Sequence, residues 1–250
     1  MTTTQITARP ALVTGASRGF GRAIATALTG AGVPVVGVAR DRAALDGLRA
    51  ELGGSFTPVA ADAADPVVAG QLMDAYRPGL LVLNAGAAPL ARPIQQHTWE
   101  TFSRNWEVDV RQVFHWTREA LLAPLDPGSL VVALSSGAAV RGSPLSGGYA
   151  GAKATVRFIT AYAASEAERD GLGIRFVSLL PQLTPATGLG AAAVAAYAAR
   201  EGMETGAYLD RAGPVLTAEQ AGQAVLDLAA SDGTAQGAYL LTAAGLSPAP

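Results

Sequence analysis

Tyr149 and Lys153 stand four residues apart in Tyr149-Ala150-Gly151-Ala152-Lys153, and Ser136 precedes the tyrosine by thirteen positions. Residues four apart share a helix face, so this spacing sets the Lys153 ammonium beside the Tyr149 phenol. A free phenol, with a pKa of about 10, is a poor base near neutrality. A neighbouring cation favours the phenolate, which makes such a tyrosine a usable proton donor and acceptor. Ser136 adds a neutral hydroxyl able to hold a carbonyl oxygen next to the phenol.

A second constellation lies near the N-terminus. The apolar run Ala11-Leu12-Val13 enters Thr14-Gly15-Ala16-Ser17-Arg18-Gly19-Phe20-Gly21, and a helix-like segment from Arg22 to Leu28 follows. A strand leading through a glycine-rich turn into a helix is a phosphate cradle. Glycines allow close backbone approach, and the helix N-terminus offers unpaired N–H groups and the positive end of the dipole.

The elements that must position these residues alternate along the whole chain. Apolar runs at 9–14, 33–39, 56–60, 79–84, 129–135, 173–180 and 237–242 read as strands covered on both faces. Helix-period segments at 19–30, 41–52, 65–76, 98–123, 147–170 and 217–230 fall between them. Repeated βα units predict a parallel sheet with helices on both faces, and no composition shift divides residues 1–250 into separate domains. Pro181 to Pro214 departs from this rhythm. It is rich in glycine and alanine, includes a helix-like stretch at 189–201, and follows the sixth strand, where ligands of open α/β sheets sit.

Composition narrows the function classes. Half of the 250 residues are apolar and only 15% are charged, which suits a substantial core and argues against long disorder. A formal charge of −2 gives no electrostatic reason to expect nucleic acid or an anionic membrane as partner. With no cysteine, disulfide and thiol chemistry are absent. Residues 1–7 lack the basic start and apolar core of a signal peptide, and the alanine-rich stretch near 191–199 is bounded closely by Gly190 and by Arg200-Glu201-Gly202, so a cytoplasmic protein is expected. His97 and His115 have no partner at metal-ligand spacing, so no metal site is expected. Trp99, Trp106 and Trp116 fall within one predicted helix; Trp99 and Trp106 share a face suited to core packing or a subunit interface.

Taken together, the Ser136/Tyr149/Lys153 set and the TGxxxGxG turn resemble the short-chain dehydrogenase/reductase family, in its standard-length form of about 250 residues. Further signatures follow in order: Asp62 after the third strand, Asn84-Ala85-Gly86 after the fourth, and Ser135-Ser136 after the fifth. The resemblance implies an α/β, single-domain, doubly wound Rossmann fold with a central parallel sheet of about seven strands flanked by helices. It implies carbonyl reduction by hydride transfer, with Tyr149 as general acid/base, Lys153 supporting it and bonding the nicotinamide ribose, and Ser136 holding the substrate oxygen. Ser136 is preferred to Ser135 by its spacing from Tyr149. Gly15, Ser17, Arg18, Gly19, Phe20 and Gly21 would surround the pyrophosphate, Asp62 would lie near adenine, and Asn84, Ala85 and Gly86 would shape the cofactor floor. Residues 185–214 correspond to the substrate lid, and the family's habit implies a homodimer or homotetramer.

Two positions depart from the family pattern. Asp109 occupies the place of an asparagine that helps link the lysine to bulk solvent through a water; aspartate lacks the amide donor and brings a charge. It reads either as an altered relay or as part of a structural helix kink, and Asn105, four residues earlier, is the weaker candidate for the role. Pro181-Gln182 replaces the usual proline-glycine and brings a side chain toward the nicotinamide face, with Thr184 and Thr187 both candidates for cofactor contact.

Charge argues the choice of cofactor. An NAD site ends its second strand with an acid that repels a 2′-phosphate. Here Ala39 stands at that place and Arg40 follows, so Arg40 and Arg18 form a guanidinium clamp that favours NADP(H), with NAD as second choice. Asp41 is expected to turn away as a helix N-cap. The lid's alanine, leucine and glycine suggest a hydrophobic carbonyl or alcohol as substrate. Two alternatives stand beside the reductase: a catalytically silent NADP-binding sensor, and an isomerase or dehydratase on the same scaffold. The latter group has different glycine spacing and a larger C-terminal domain.

Overall fold

In the computed structural model, which describes residues 9–231 and 237–250, the apolar runs become one sheet. Its strands are β1 (Ala11–Thr14), β2 (Val35–Ala39), β3 (Phe56–Ala60), β4 (Leu80–Leu83), β5 (Leu130–Leu134), β6 (Arg175–Pro181), β7 (Gly237–Thr242) and β8 (Gly245–Pro248). The order is β3-β2-β1-β4-β5-β6-β7-β8, with all pairs parallel except β7 with β8. This is the doubly wound Rossmann arrangement, and the strand order reverses between β1 and β4, which opens a crevice at their carboxyl ends.

Alternation along the strands builds two cores. Ala11 and Val13 join Val35, Val132 and Val177 on one face, where α1 (Gly19–Gly30) and α9 (Ala218–Ala230) pack. Leu12 joins Val36, Leu81, Leu83 and Val131 on the other, against α3 (Pro66–Tyr76), α5 (Arg111–Leu122) and α6 (Tyr149–Arg169). Gly37 in mid-β2 is required by packing: a Cβ there would lie 2.3 Å from the Phe56 ring. The remaining helices are α2 (Arg42–Leu52), α4 (Trp99–Asn105), α7 (Gly188–Arg200) and α8 (Thr205–Ala212).

Three features differ from the sequence expectation. The sheet has an eighth, antiparallel strand: Gly245-Leu246-Ser247-Pro248 is too short and too rich in glycine and proline to announce itself, and its strand geometry comes from pairing with β7. The lid carries a second helix, α8. The single helix expected over 98–123 is interrupted by a π-helical turn, Trp106–Val110, in which Arg111 N donates to Trp106 O. That turn adds a residue to the helical period, and it places both Asn105 and Asp109 in the interior. The three tryptophans therefore do not share one helix. Trp116 is wholly buried and donates to Ala63 O at 2.8 Å, whereas Trp99 is exposed.

No helix among the described residues is long and apolar enough to cross a membrane. Residues 1–7, on which the signal-peptide reading rests, lie outside the described residues.

Candidate active site

Tyr149 is the first residue of α6, and Lys153 follows one turn later with its Nζ 5.7 Å from the Tyr149 ring centroid. The start of α6 presses against α4 so closely that a Cβ on Gly148 would meet Phe102 O at 1.9 Å. Lys153 is buried. Its ammonium donates to Leu134 O, at the end of β5, at 2.9 Å and pairs with Asp109 Oδ2 at 3.1 Å. Burial pulls the lysine pKa down, but the Asp109 carboxylate, with a smaller contribution from Tyr149, outweighs it and leaves Lys153 above the ordinary lysine value.

Asp109 is itself buried, and its second oxygen, Oδ1, accepts from Ala87 N at 2.8 Å. Asn105 Nδ2 donates to Ala87 O at 2.8 Å and approaches Asp109 Oδ1 at 3.5 Å. Gly86 faces this carboxylate, since a Cβ there would sit 3.0 Å from Asp109 Oδ2. The π turn thus ties the loop after β4 to the lysine of α6.

The two serines after β5 separate as strand alternation requires. Ser135 is buried and donates to Lys153 O at 2.7 Å. Ser136 remains partly accessible; its Oγ accepts from Ala138 N at 3.2 Å, and among the described residues its hydroxyl proton has no acceptor.

The glycine turn is built around Thr14. Its Oγ1 accepts from Asn84 N at 2.9 Å and Ala85 N at 3.0 Å and donates to the buried Gln112 Oε1 at 3.1 Å. The Asn84 amide donates in turn to Thr14 O at 3.0 Å and Gly15 O at 3.2 Å. Gly15 has φ +69° and Gly19 φ +55°. A Cβ at Gly21 would lie 2.1 Å from Gly15 O, so the helix can begin this close to the turn only with glycine. Phe20 is partly buried and packs against the core; Ser17 is half-buried in the turn. The N-terminus of α1, at Arg18, has no side-chain cap. Its first-turn N–H groups are the kind that receive a phosphate.

Arg18 and Arg40 are both exposed, and among the described residues neither pairs with an acid. Asp41 caps α2 by accepting from Ala44 N at 3.0 Å, which turns its charge away. Asp62, exposed just past β3, accepts from Ala64 N at 3.0 Å.

The segment expected as the lid, 185–214, follows β6, which ends at the buried Pro181. Gln182 is directed to the lid's far end: its Nε2 donates to Pro214 O at 3.1 Å. Thr184 is buried, donates to Leu216 O and accepts from Ala186 N, so its hydroxyl is engaged within the lid base. Thr187 caps α7, and its Cγ2 lies 3.4 Å from where a Gly19 Cβ would be, which brings the lid onto the glycine turn. The Tyr197 hydroxyl bonds Ser143 Oγ, joining α7 to the loop before Tyr149. Beside this latch lies a cavity of about 270 Å³, walled by Pro93, Ile94 and Gln95, by Ser143, Pro144 and Gly147, and by Arg200 of α7.

Gln112 and the Asn105–Ala87 contact are the parts that residue spacing leaves out. Their one signal is that both are uncharged polar residues on the inward side of a helix, and the π turn between them obscures that side. Among the described residues no group of three His, Cys, Asp or Glu could hold a metal ion. His97 bonds locally, with its ring nitrogens 3.2 Å from Thr101 Oγ1 and Arg92 O.

Comparison with known proteins places this geometry. Residues 9–198 match the family model described as short chain dehydrogenase. L-xylulose reductase of Bos taurus is 33% identical over 184 residues, covering 72% of this chain and 75% of its own. The structure of levodione reductase superposes with a TM-score of 0.84 at 22% identity, covering 95% of this chain and 97% of that one. The 3-ketoacyl-(acyl-carrier-protein) reductase from Brucella melitensis, complexed with NADH, superposes with a TM-score of 0.77 at 24% identity over 93% and 96% of the two chains.

Proposed function

The chain belongs to the short chain dehydrogenase family, nicotinamide-dependent oxidoreductases of the CH–OH/C=O couple, and from that premise we propose that it reduces a ketone or aldehyde to an alcohol with NADPH. The observation that carries this reading is the cluster at the carboxyl edge of β4 and β5. Tyr149 and Ser136 remain accessible there, above a buried, charge-compensated Lys153.

The residues suit a phosphorylated dinucleotide. The uncapped start of α1 offers N–H groups to a pyrophosphate, and the acid-free guanidinium groups of Arg18 and Arg40 suit a 2′-phosphate. Asn84, Ala85 and Gly86 form the floor, and Thr187, by its place against Gly19, joins Pro181 and Gln182 as the lid-side neighbour. When bound, the nicotinamide supplies hydride to the carbonyl carbon.

Each remaining step belongs to the chain. Ser136 donates a hydrogen bond to the carbonyl oxygen. Tyr149 gives its proton to that oxygen as alkoxide charge develops, and the Lys153 ammonium faces the phenolate left behind. Asp109 keeps that ammonium charged in a buried place.

One domain carries both sites, with residues 185–214 closing over the substrate. Phe114, Leu122, Phe158 and Tyr162 lie exposed on α5 and α6, and this apolar surface is where copies meet as a dimer or tetramer. The absence of cysteine accords with a cytoplasmic setting.

The test is NADPH consumption by absorbance, with an NADH control, across ketones, quinones, keto-acyl thioesters and steroid-like carbonyls. Turnover with NADPH supports the reading; tight NADPH binding with no turnover on any of them favours the sensor.

A further inference from the structure

The cavity beside the Tyr197–Ser143 latch has one charged residue in its wall, and that residue is a cation. Arg200 stands in the last turn of α7, and no carboxylate lines the space with it. The lid's other arginine, Arg211, is neutralised by Glu201 and lies over the Tyr208 ring. Among the described residues Arg200 has no acidic partner. The cavity's other polar groups, Gln95 and Ser143, can each donate a hydrogen bond.

Position links this cation to the chemistry. Gly147, on the cavity wall, precedes Tyr149 by two residues, so their Cα atoms are at most about 7 Å apart. A volume of about 270 Å³ is at the small end of the range for small-molecule sites. The cavity therefore opens beside the first turn of α6, where a substrate whose carbonyl meets Tyr149 would extend. An aliphatic end would gain nothing from the exposed Arg200 guanidinium, whereas an oxyanion would exchange its water for a charge-assisted pair, and Arg offers a planar fork for it.

We propose that the substrate is a short carbonyl compound bearing an oxyanion, a carboxylate or a phosphate, at the end remote from the carbonyl, and that Arg200 receives that group. The proposal rests on the carbonyl-reductase reading and revises the lid's apolar composition as a guide to substrate. Composition counts alanines that face outward or inward alike, whereas the fold sets the exposed Arg200 at the cavity wall.

The experiment compares three carbonyl substrates of matched length, ending in methyl, carboxylate and phosphate, with NADPH and the full chain. Arg200→Gln and Arg200→Lys are measured beside the unaltered protein. The unaltered protein is expected to prefer one charged substrate over the methyl one by tenfold or more in kcat/KM. Arg200→Gln should reduce that preference by about tenfold to a hundredfold, chiefly through KM, and Arg200→Lys should restore part of it. The carboxylate and phosphate arms identify the anion. No preference in the unaltered protein, or a preference that survives Arg200→Gln, overturns the site. Calorimetric titration with butanoate and with propyl phosphate separates the two readings. Binding that depends on Arg200, without turnover of any carbonyl, sinks the reductase and keeps the site. Turnover without such dependence keeps the reductase and sinks the site.

Discussion

Asn105 and Asp109 grip the same residue from its two sides: Asn105 Nδ2 donates to the Ala87 carbonyl and Asp109 Oδ1 accepts from the Ala87 N–H, each at 2.8 Å. Since Asp109 Oδ2 also pairs with Lys153, one π turn connects the loop after β4 to the start of α6. The carboxylate supplies the charge and the amide supplies the donor that a carboxylate lacks.

Replacing Asp109 therefore has a signature in pH. The raised Lys153 pKa means that its contribution to stability is complete below the ordinary lysine value, about 10.4, and is lost only as pH climbs through the higher folded value. In Asp109→Asn burial of the ammonium is uncompensated and its folded pKa drops below the unfolded one, so the variant should be least stable near neutrality and should regain stability as pH rises toward the ordinary lysine value. Asp109→Ala should cost about 3–5 kcal/mol, because it strands a buried charge and frees Ala87 N. Thermal melts across pH 7–11 check both.

Tyr149→Phe removes the proton donor and leaves the ring. Turnover should drop by about a hundredfold to ten-thousandfold, while NADPH affinity, measured by fluorescence titration, changes little. Undiminished turnover would dismiss Tyr149 as the general acid.

Arg40→Ala should weaken NADPH by roughly tenfold to a hundredfold and leave NADH nearly unaffected, because only NADPH carries the 2′-phosphate. Equal losses for the two cofactors would remove the guanidinium clamp from the argument.

Gly21→Ala introduces a methyl 2.1 Å from Gly15 O and 2.4 Å from Asn84 Nδ2, both fixed by hydrogen bonds. The turn must move, so both cofactors should lose affinity together, by tenfold or more. This pattern distinguishes it from Arg40→Ala in the same titration.

Phe158→Glu places a charge on the exposed apolar face of α6, where Phe158 stacks on Tyr162 at 6.0 Å. Size-exclusion chromatography with light scattering should report a shift from dimer or tetramer to monomer. An unchanged mass would place the interface elsewhere.

Local patterns were legible before any fold was known. The approach of Lys153 to Tyr149, the N-cap at Asp41 and the glycine turn each depend on residues a few positions apart, so spacing carries them. Contacts joining distant segments were not. Gln112 meets Thr14 across 98 positions, and only the packing of α5 on the sheet brings them together. Gln182 donates to Pro214 O across 32 positions, a contact that residue spacing does not carry. The π turn escaped because one added residue shifts helical phase without changing composition.

Thr187 Cγ2 lies 3.4 Å from where a Gly19 Cβ would be, so the first turn of α7 faces the glycine turn closely. On the proposed function, raising this segment would uncover that loop, and an occupied loop would give it a firmer seat. Substrate arrival and departure would then be nested inside the residence of the dinucleotide. The expected steady-state pattern is a compulsory order, cofactor first on and last off. Inhibition by the oxidised dinucleotide would be competitive with NADPH and noncompetitive with the carbonyl.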